Sequence, residues 1–262
     1  MDLGLKDRVA LVAASSSGLG KAIALAFARE GASVALCART QSTLESTADE
    51  IRRETGVGVL ARAIDVTDPN QVRAFVAEVA AILGRLDICV ANAGGPPSKS
   101  FADTTVADWH AAAELNLLST VYLARETLPL MQRLRWGRFI AITSVTVKQP
   151  LDGLILSNAI RTGVLGLVKS LANEYGPYNV LVNNVCPGFT ATARLNELAE
   201  TLALKAGVTP ADIEKRWASQ APLGRIGQPE ELANLVVFLA SERASYITGE
   251  SIAVDGGLVK GI

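Results

Sequence analysis

The segment Ala13-Ala14-Ser15-Ser16-Ser17-Gly18-Leu19-Gly20 is made of residues small enough for a backbone to wrap a phosphate. It follows an apolar run at 9–14 and opens onto Lys21 and a helical pattern carrying Ile23, Leu25, Ala26 and Phe27. A turn that feeds a helix N-terminus offers unpaired N–H groups and the positive end of the helix dipole to an anion. Gly18 and Gly20 flank Leu19 and permit close approach to a diphosphate, while Ser15 and Ser17 supply hydroxyl donors. The third glycine of a G-x-G-x-x-G fingerprint is absent, since Ile23 holds its place. Position directly after the first apolar run nevertheless points to a dinucleotide site.

The second apolar run ends in Cys37-Ala38-Arg39-Thr40, with no carboxylate. An acid there would take a ribose 2′-hydroxyl. Arg39, 19 residues beyond Gly20, suits a 2′-phosphate through charge-assisted bonds, so NADP is expected in preference to NAD. The competing reading of Arg39 is a surface arginine at a helix start. Other reactive side chains are sparse. The one histidine, His110, lies six residues before Asn116 and reads as a surface residue on another helix face. Cys37, Cys89 and Cys186 sit inside apolar runs, as buried thiols do, and no metal site or disulfide framework is expected. Lys148 and Asp152 are either solvated loop charges or groups at the mouth of a pocket.

These residues need a scaffold to bring them together. The chain has 262 residues, 49% of them hydrophobic, and a net charge of −1. Near-neutral charge gives no electrostatic case for nucleic acid or an anionic membrane surface. No charge-free apolar stretch is long enough to span a bilayer, and the N-terminus lacks a signal-peptide pattern, so a cytoplasmic location is expected. Apolar runs at 9–14, 33–38, 57–64, 86–91, 138–144, 180–186 and 251–254 alternate with helical patterns. Continuous rather than alternating runs predict strands covered on both faces. The expected fold is therefore α/β: one Rossmann-type, doubly wound parallel sheet of about seven strands over residues 1–262. Asp68 before Pro69 predicts a capped helix start, and Gly31 a helix end. Residues 190–225 carry helical patterns between the sixth and seventh strands, as a substrate lid or as a packing pair of helices.

In sum of its motifs the chain resembles the short-chain dehydrogenase/reductase family along essentially its whole length. The turn at 13–20 is similar to T-G-x-x-x-G-x-G, with Ala14 in place of the first glycine. Asp65-Val66 is similar to the family's adenine-contacting pair, and Ala91-Asn92-Ala93-Gly94 to its N-N-A-G element. Asn116 falls at the helix asparagine that supports a proton relay, and Ser144 at the serine that holds the substrate oxygen. Pro187, Gly188 and Thr190 resemble the segment that closes on the nicotinamide. The resemblance implies an oxidoreductase on a small carbonyl or alcohol, in the manner of 3-oxoacyl-carrier-protein reductases or sugar and alcohol dehydrogenases. It also implies a homotetramer or homodimer.

The family's Y-x-x-x-K motif is not matched. Ser157, 13 residues after Ser144, stands where the tyrosine belongs, and Arg161 where the lysine belongs. A serine hydroxyl is far less acidic than a phenol of pKa about 10, so it is a poor general acid. Arg161 keeps a positive charge and can still donate to a cofactor ribose. Two functions are therefore open. One is an NADP-dependent reductase with a rearranged relay built on Ser144, Ser157, Asn116 and Arg161. The other is an NADP-binding sensor or assembly partner with impaired turnover.

Overall fold

The structure, a computed structural model, describes residues 2–261. Its elements run β1 (Val9–Ala13), α1 (Gly18–Arg29), β2 (Ser33–Ala38), α2 (Gln41–Thr55), β3 (Val59–Ala63), α3 (Pro69–Leu83) and β4 (Ile88–Ala91). Then come α4 (Val106–Ala113), α5 (Ser119–Leu134), β5 (Gly137–Ile142), α6 (Ile155–Ile160), α7 (Thr162–Tyr175) and β6 (Val180–Pro187). The last elements are α8 (Ala193–Ala206), α9 (Pro210–Gln220), α10 (Pro229–Ala240) and β7 (Ser251–Val254). Every strand pair is parallel, in the order β3-β2-β1-β4-β5-β6-β7.

Continuous apolar strands bury both faces, and the helices divide between them. On one face Ile23 and Phe27 of α1 and Leu232 and Val236 of α10 pack on Val12, Leu36 and Ile140. On the other, Val72 and Phe75 of α3, Leu123 of α5 and Val168 of α7 pack on Leu11 and Phe139. Strand order reverses between β1 and β4, which opens a crevice at the carboxyl edge of the sheet. Asp68 caps α3 as expected, accepting from the Asn70 N–H at 2.8 Å, and Gly31 follows α1 with φ +81°.

Several expected boundaries move, each for a local reason. Ala14 leaves β1 because its backbone is left-handed, with φ +49°. The fourth strand begins at Ile88 rather than 86, because the Asp87 carboxylate, not a ladder carbonyl, accepts from the Val9 N–H at 2.9 Å. Residues 143–144 leave β5 because Ser144 caps a short 3₁₀ turn, Val145–Val147. Residues 155–175 form two helices, α6 and α7, that meet at Arg161. Residues 190–225 form α8 and α9 with a small core of their own, in which Trp217 stacks on Phe189 at 4.9 Å. None of the described helices is long and apolar enough to cross a membrane.

Asp87 knits the amino edge of the sheet. Fully buried, it accepts from Arg8 Nη1 at 3.1 Å and from Arg85 Nε and Nη2 at 2.7 and 2.6 Å, besides the Val9 N–H. Asp87→Ala would leave the buried Val9 N–H without its acceptor and remove the carboxylate that both guanidiniums share. We expect it to cost about 3 kcal/mol, read as a lower urea midpoint at unchanged slope. A shift within error of zero would mean that solvent replaces these bonds at no cost.

Candidate active site

The crevice is a cleft of about 580 Å³. Its first wall is the turn after β1. Ala14 and Gly18 both hold positive φ, +49° and +53°, which explains why a glycine is the usual residue where Ala14 stands. A Cβ on Gly20 would run into the Ala14 carbonyl and lie 2.9 Å from Ser15 Cα. Gly20 therefore lets α1 pack against the turn but does not itself line the cleft. Ser16, Ser17, Gly18 and Leu19 do line it. Ser15, expected among the donors, is corrected by the structure. It is fully buried, and its hydroxyl and N–H both donate to the Cys37 carbonyl, at 3.4 and 3.1 Å.

The neighbouring strand ends supply the next group. Arg39 is exposed at the rim and has no carboxylate in ion-pair range among the described residues. Asp65 and Val66 follow β3 on the same wall, with Asp65 Oδ1 fixed by the Thr67 N–H and hydroxyl at 2.9 and 2.8 Å. Asn92 donates to the Ala13 carbonyl at 3.2 Å, which ties the end of β4 to that of β1.

Deeper in, the Gly94 carbonyl accepts from Asn116 Nδ2 at 2.8 Å and Arg161 Nη2 at 3.1 Å. Asn116 sits on one π turn, Glu114–Leu118, between α4 and α5, and π turns often mark functional positions. Its side chain is buried behind the lining, and Oδ1 has no donor among the described residues. Arg161 is only 6% exposed and lines the cleft. Its Nη1 donates to the Ile142 and Thr143 carbonyls at 3.2 and 3.0 Å. No carboxylate pairs with it among the described residues, and burial lowers the guanidinium pKa to about 10.

Ser144 and Ser157 both line the cleft, joined by a residue that sequence reasoning missed. Thr146 donates its N–H to Ser144 Oγ at 3.2 Å, and its hydroxyl lies 3.0 Å from Ser157 Oγ. The only signal for Thr146 was a hydroxyl two residues past Ser144, and only the 3₁₀ turn aims it at Ser157. On the far side Pro187, Gly188 and Thr190 line the cleft, and a Cβ on Gly188 would lie 2.8 Å from Asp255 Cα. Arg194 of α8, also missed, reaches over to donate to the Pro96 carbonyl at 3.0 Å. Lys148, Asp152 and His110 are exposed and line no part of the cleft. Tyr122, Tyr175 and Tyr178 pack on the sheet's second face and Tyr246 is exposed, so no described tyrosine lines the cleft.

Comparison with known proteins agrees with this geometry. A family model described as "Enoyl-(Acyl carrier protein) reductase" matches residues 13–259. The 3-oxoacyl-[acyl-carrier-protein] reductase FabG of Aquifex aeolicus is 35% identical over 258 residues, 98% of this chain and 100% of that protein. NADPH-dependent reductase BacG of Bacillus subtilis is 30% identical, over 98% of this chain and 100% of its own. The L-sorbose reductase of Gluconobacter frateurii, solved with NADPH and L-sorbose, superposes with a TM-score of 0.95 at 36% identity over the whole of both chains. The chain belongs to the short-chain dehydrogenase/reductase family. At that level it is an oxidoreductase.

The thiols near this site are quiet. Burial pushes Cys37 up to about 12 and raises Cys89 and Cys186 as well. Each stays a protonated thiol at neutral pH, and thiolate is the reactive form. Ellman's reagent at about pH 8 should therefore find no reactive thiol in the native protein and three after unfolding in guanidinium. Prompt native labelling of Cys186 would show that the structure opens around β6.

Proposed function

We propose that this protein is an NADP(H)-dependent reductase of a small carbonyl compound, with a proton relay that departs from its family's. The observation that carries the cofactor is Arg39, a guanidinium on the rim at the end of β2 with no carboxylate partner among the described residues. Relatives named as NADPH-dependent or solved with NADPH support it. The turn fits a diphosphate, because Ser17, Gly18 and Leu19 line the cleft at the N-terminus of α1. In this reading Ser17, Gly18 and Leu19 hold the diphosphate, Arg39 the 2′-phosphate, and Asp65 and Val66 the adenine. Asn92, Gly94, Pro187, Gly188 and Thr190 take the nicotinamide half. The cofactor supplies the hydride.

The chain's own work is to hold the substrate oxygen and its charge. Ser144 and Ser157, linked through Thr146, offer hydroxyls to that oxygen. Arg161, itself buried, stabilises negative charge as it develops there. Ser157 and Arg161 stand at the positions of the family's tyrosine and lysine, so the final proton comes from water held by the hydroxyls, with Asn116 behind them. Residues 190–225 act as a lid over the substrate, within a single domain, and the protein assembles as a homodimer or homotetramer. A second reading, a cofactor-binding protein with little turnover, is favoured by one observation. No described tyrosine lines the cleft.

NADPH should bind more tightly than NADH in a fluorescence titration. Arg39→Ala should weaken NADPH by roughly 10- to 100-fold, the scale of a bond to a charged group, and leave NADH unchanged. Equal affinities in the parent protein would remove the assignment of Arg39.

Restoring the phenol is the test of turnover. Ser157→Tyr with Arg161→Lys puts a phenol and an ammonium one helical turn apart and should raise carbonyl reduction by roughly 10²-fold or more. Either change alone should do far less, because such groups act as a unit. A folded double variant that binds NADPH and gains nothing on a broad carbonyl panel would favour the second reading.

A further inference from the structure

Five charged residues line the cleft: Arg39, Asp65, Arg161, Arg194 and Glu197. Arg39 and Asp65 stand at the ends of β2 and β3, on the β1 side away from the hydroxyl cluster. The other end, which holds Ser144 and Ser157, keeps two arginines and one glutamate. Glu197 meets Arg194 at 3.5 Å, with both side chains at least half exposed, which is a weak pairing in water. Arg161 meets no acid at all among the described residues.

A buried guanidinium normally finds a carboxylate, because taking the charge out of water is costly. Here three of its five donors go to carbonyls: both on Nη1, and one on Nη2. The Nε–H and the second Nη2–H have no protein partner among the described residues. Two adjacent donors of a planar fork match the two oxygens of a carboxylate. Arg194 adds a second cation, carried into the same cleft by α8 and hydrogen-bonded, among the described residues, only to the Pro96 carbonyl and an exposed glutamate.

We propose that the substrate end of the cleft binds a carboxylate-bearing carbonyl compound, with Arg161 and Arg194 as the groups that recognise its negative charge. The carbonyl half of this statement rests on the reductase reading above; the anionic half rests on the two arginines alone. The apolar neighbours Leu154, Leu195 and Leu198 would then cover the rest of the carbon chain.

The test uses matched pairs: 2-oxo and 4-oxo acids of four to eight carbons, about ten compounds in all, against their methyl esters. Each is titrated calorimetrically into the full-length protein, both cofactor-free and saturated with NADP⁺. At least one acid should bind about tenfold or more tightly than its ester, and that preference should shrink at high salt. Arg194→Gln should lower acid affinity about fivefold and leave the ester unchanged. Arg161→Met should abolish the preference, and Arg161→Lys should keep part of it. Arg194→Gln lies on an exposed helix and keeps the test open should Arg161→Met fail to fold. If no acid outbinds its ester, or if the preference survives Arg194→Gln undiminished, the proposal is overturned. NADPH titration of the same samples reports the cofactor reading separately. Loss of NADPH binding with the acid preference intact would sink that reading alone.

Discussion

At the carboxyl edge of a parallel sheet the last carbonyls of neighbouring strands point outward with no further ladder partner, and water is largely excluded where a cleft covers them. In this protein the Arg161 guanidinium meets three carbonyls at that edge, from Ile142 at the end of β5, Thr143 just past it and Gly94 in the segment after β4. Those bonds tie the segments after β4 and β5 to the junction of α6 and α7. Arg161 itself keeps helical backbone angles at that junction, φ −67° and ψ −23°. Burial of a cation without an acid is costly, and the carbonyl dipoles offset only part of that cost.

From that anchor the rest of the site follows. The Gly94 carbonyl shares its lone pairs between Arg161 and Asn116, so the π turn that carries Asn116 is registered against the same point. Ser157 lies one turn before Arg161 and reaches Ser144 only through Thr146. A tyrosine at 157 would project beyond this cluster toward the middle of the cleft. The serine instead turns back into the wall and makes it a short chain of hydroxyls. The floor so formed carries a guanidinium and hydroxyls, and no described tyrosine lines it.

The fold was largely legible before any coordinates. Seven continuous apolar runs separated by helical patterns leave few arrangements other than a doubly wound parallel sheet, since strands buried on both faces need helices on both. The misses were at edges, where one side chain outweighed propensity. Asp87 took a backbone N–H that a strand carbonyl would have taken, and Ala14 adopted a glycine-like conformation to make the turn. Such choices depend on a partner distant in the chain and carry no periodic signal.

Sequence by itself determined the identity of the charged and hydroxyl residues of the site: Arg39, Asp65 and Ser144 stand at the ends of apolar runs, where a parallel sheet must present them, while Asn116, Ser157 and Arg161 stand in helical patterns. It also determined that residues 157 and 161 are a serine and an arginine. Tertiary structure decided which of these meet. Ser15 turned away because its neighbours in β2 offered a carbonyl, and Thr146 and Arg194 entered because a 3₁₀ turn and a helix from a later segment aimed them inward. Spacing along a chain sets which face of an element a side chain takes, but contacts across 11 to 98 residues depend on how the elements pack.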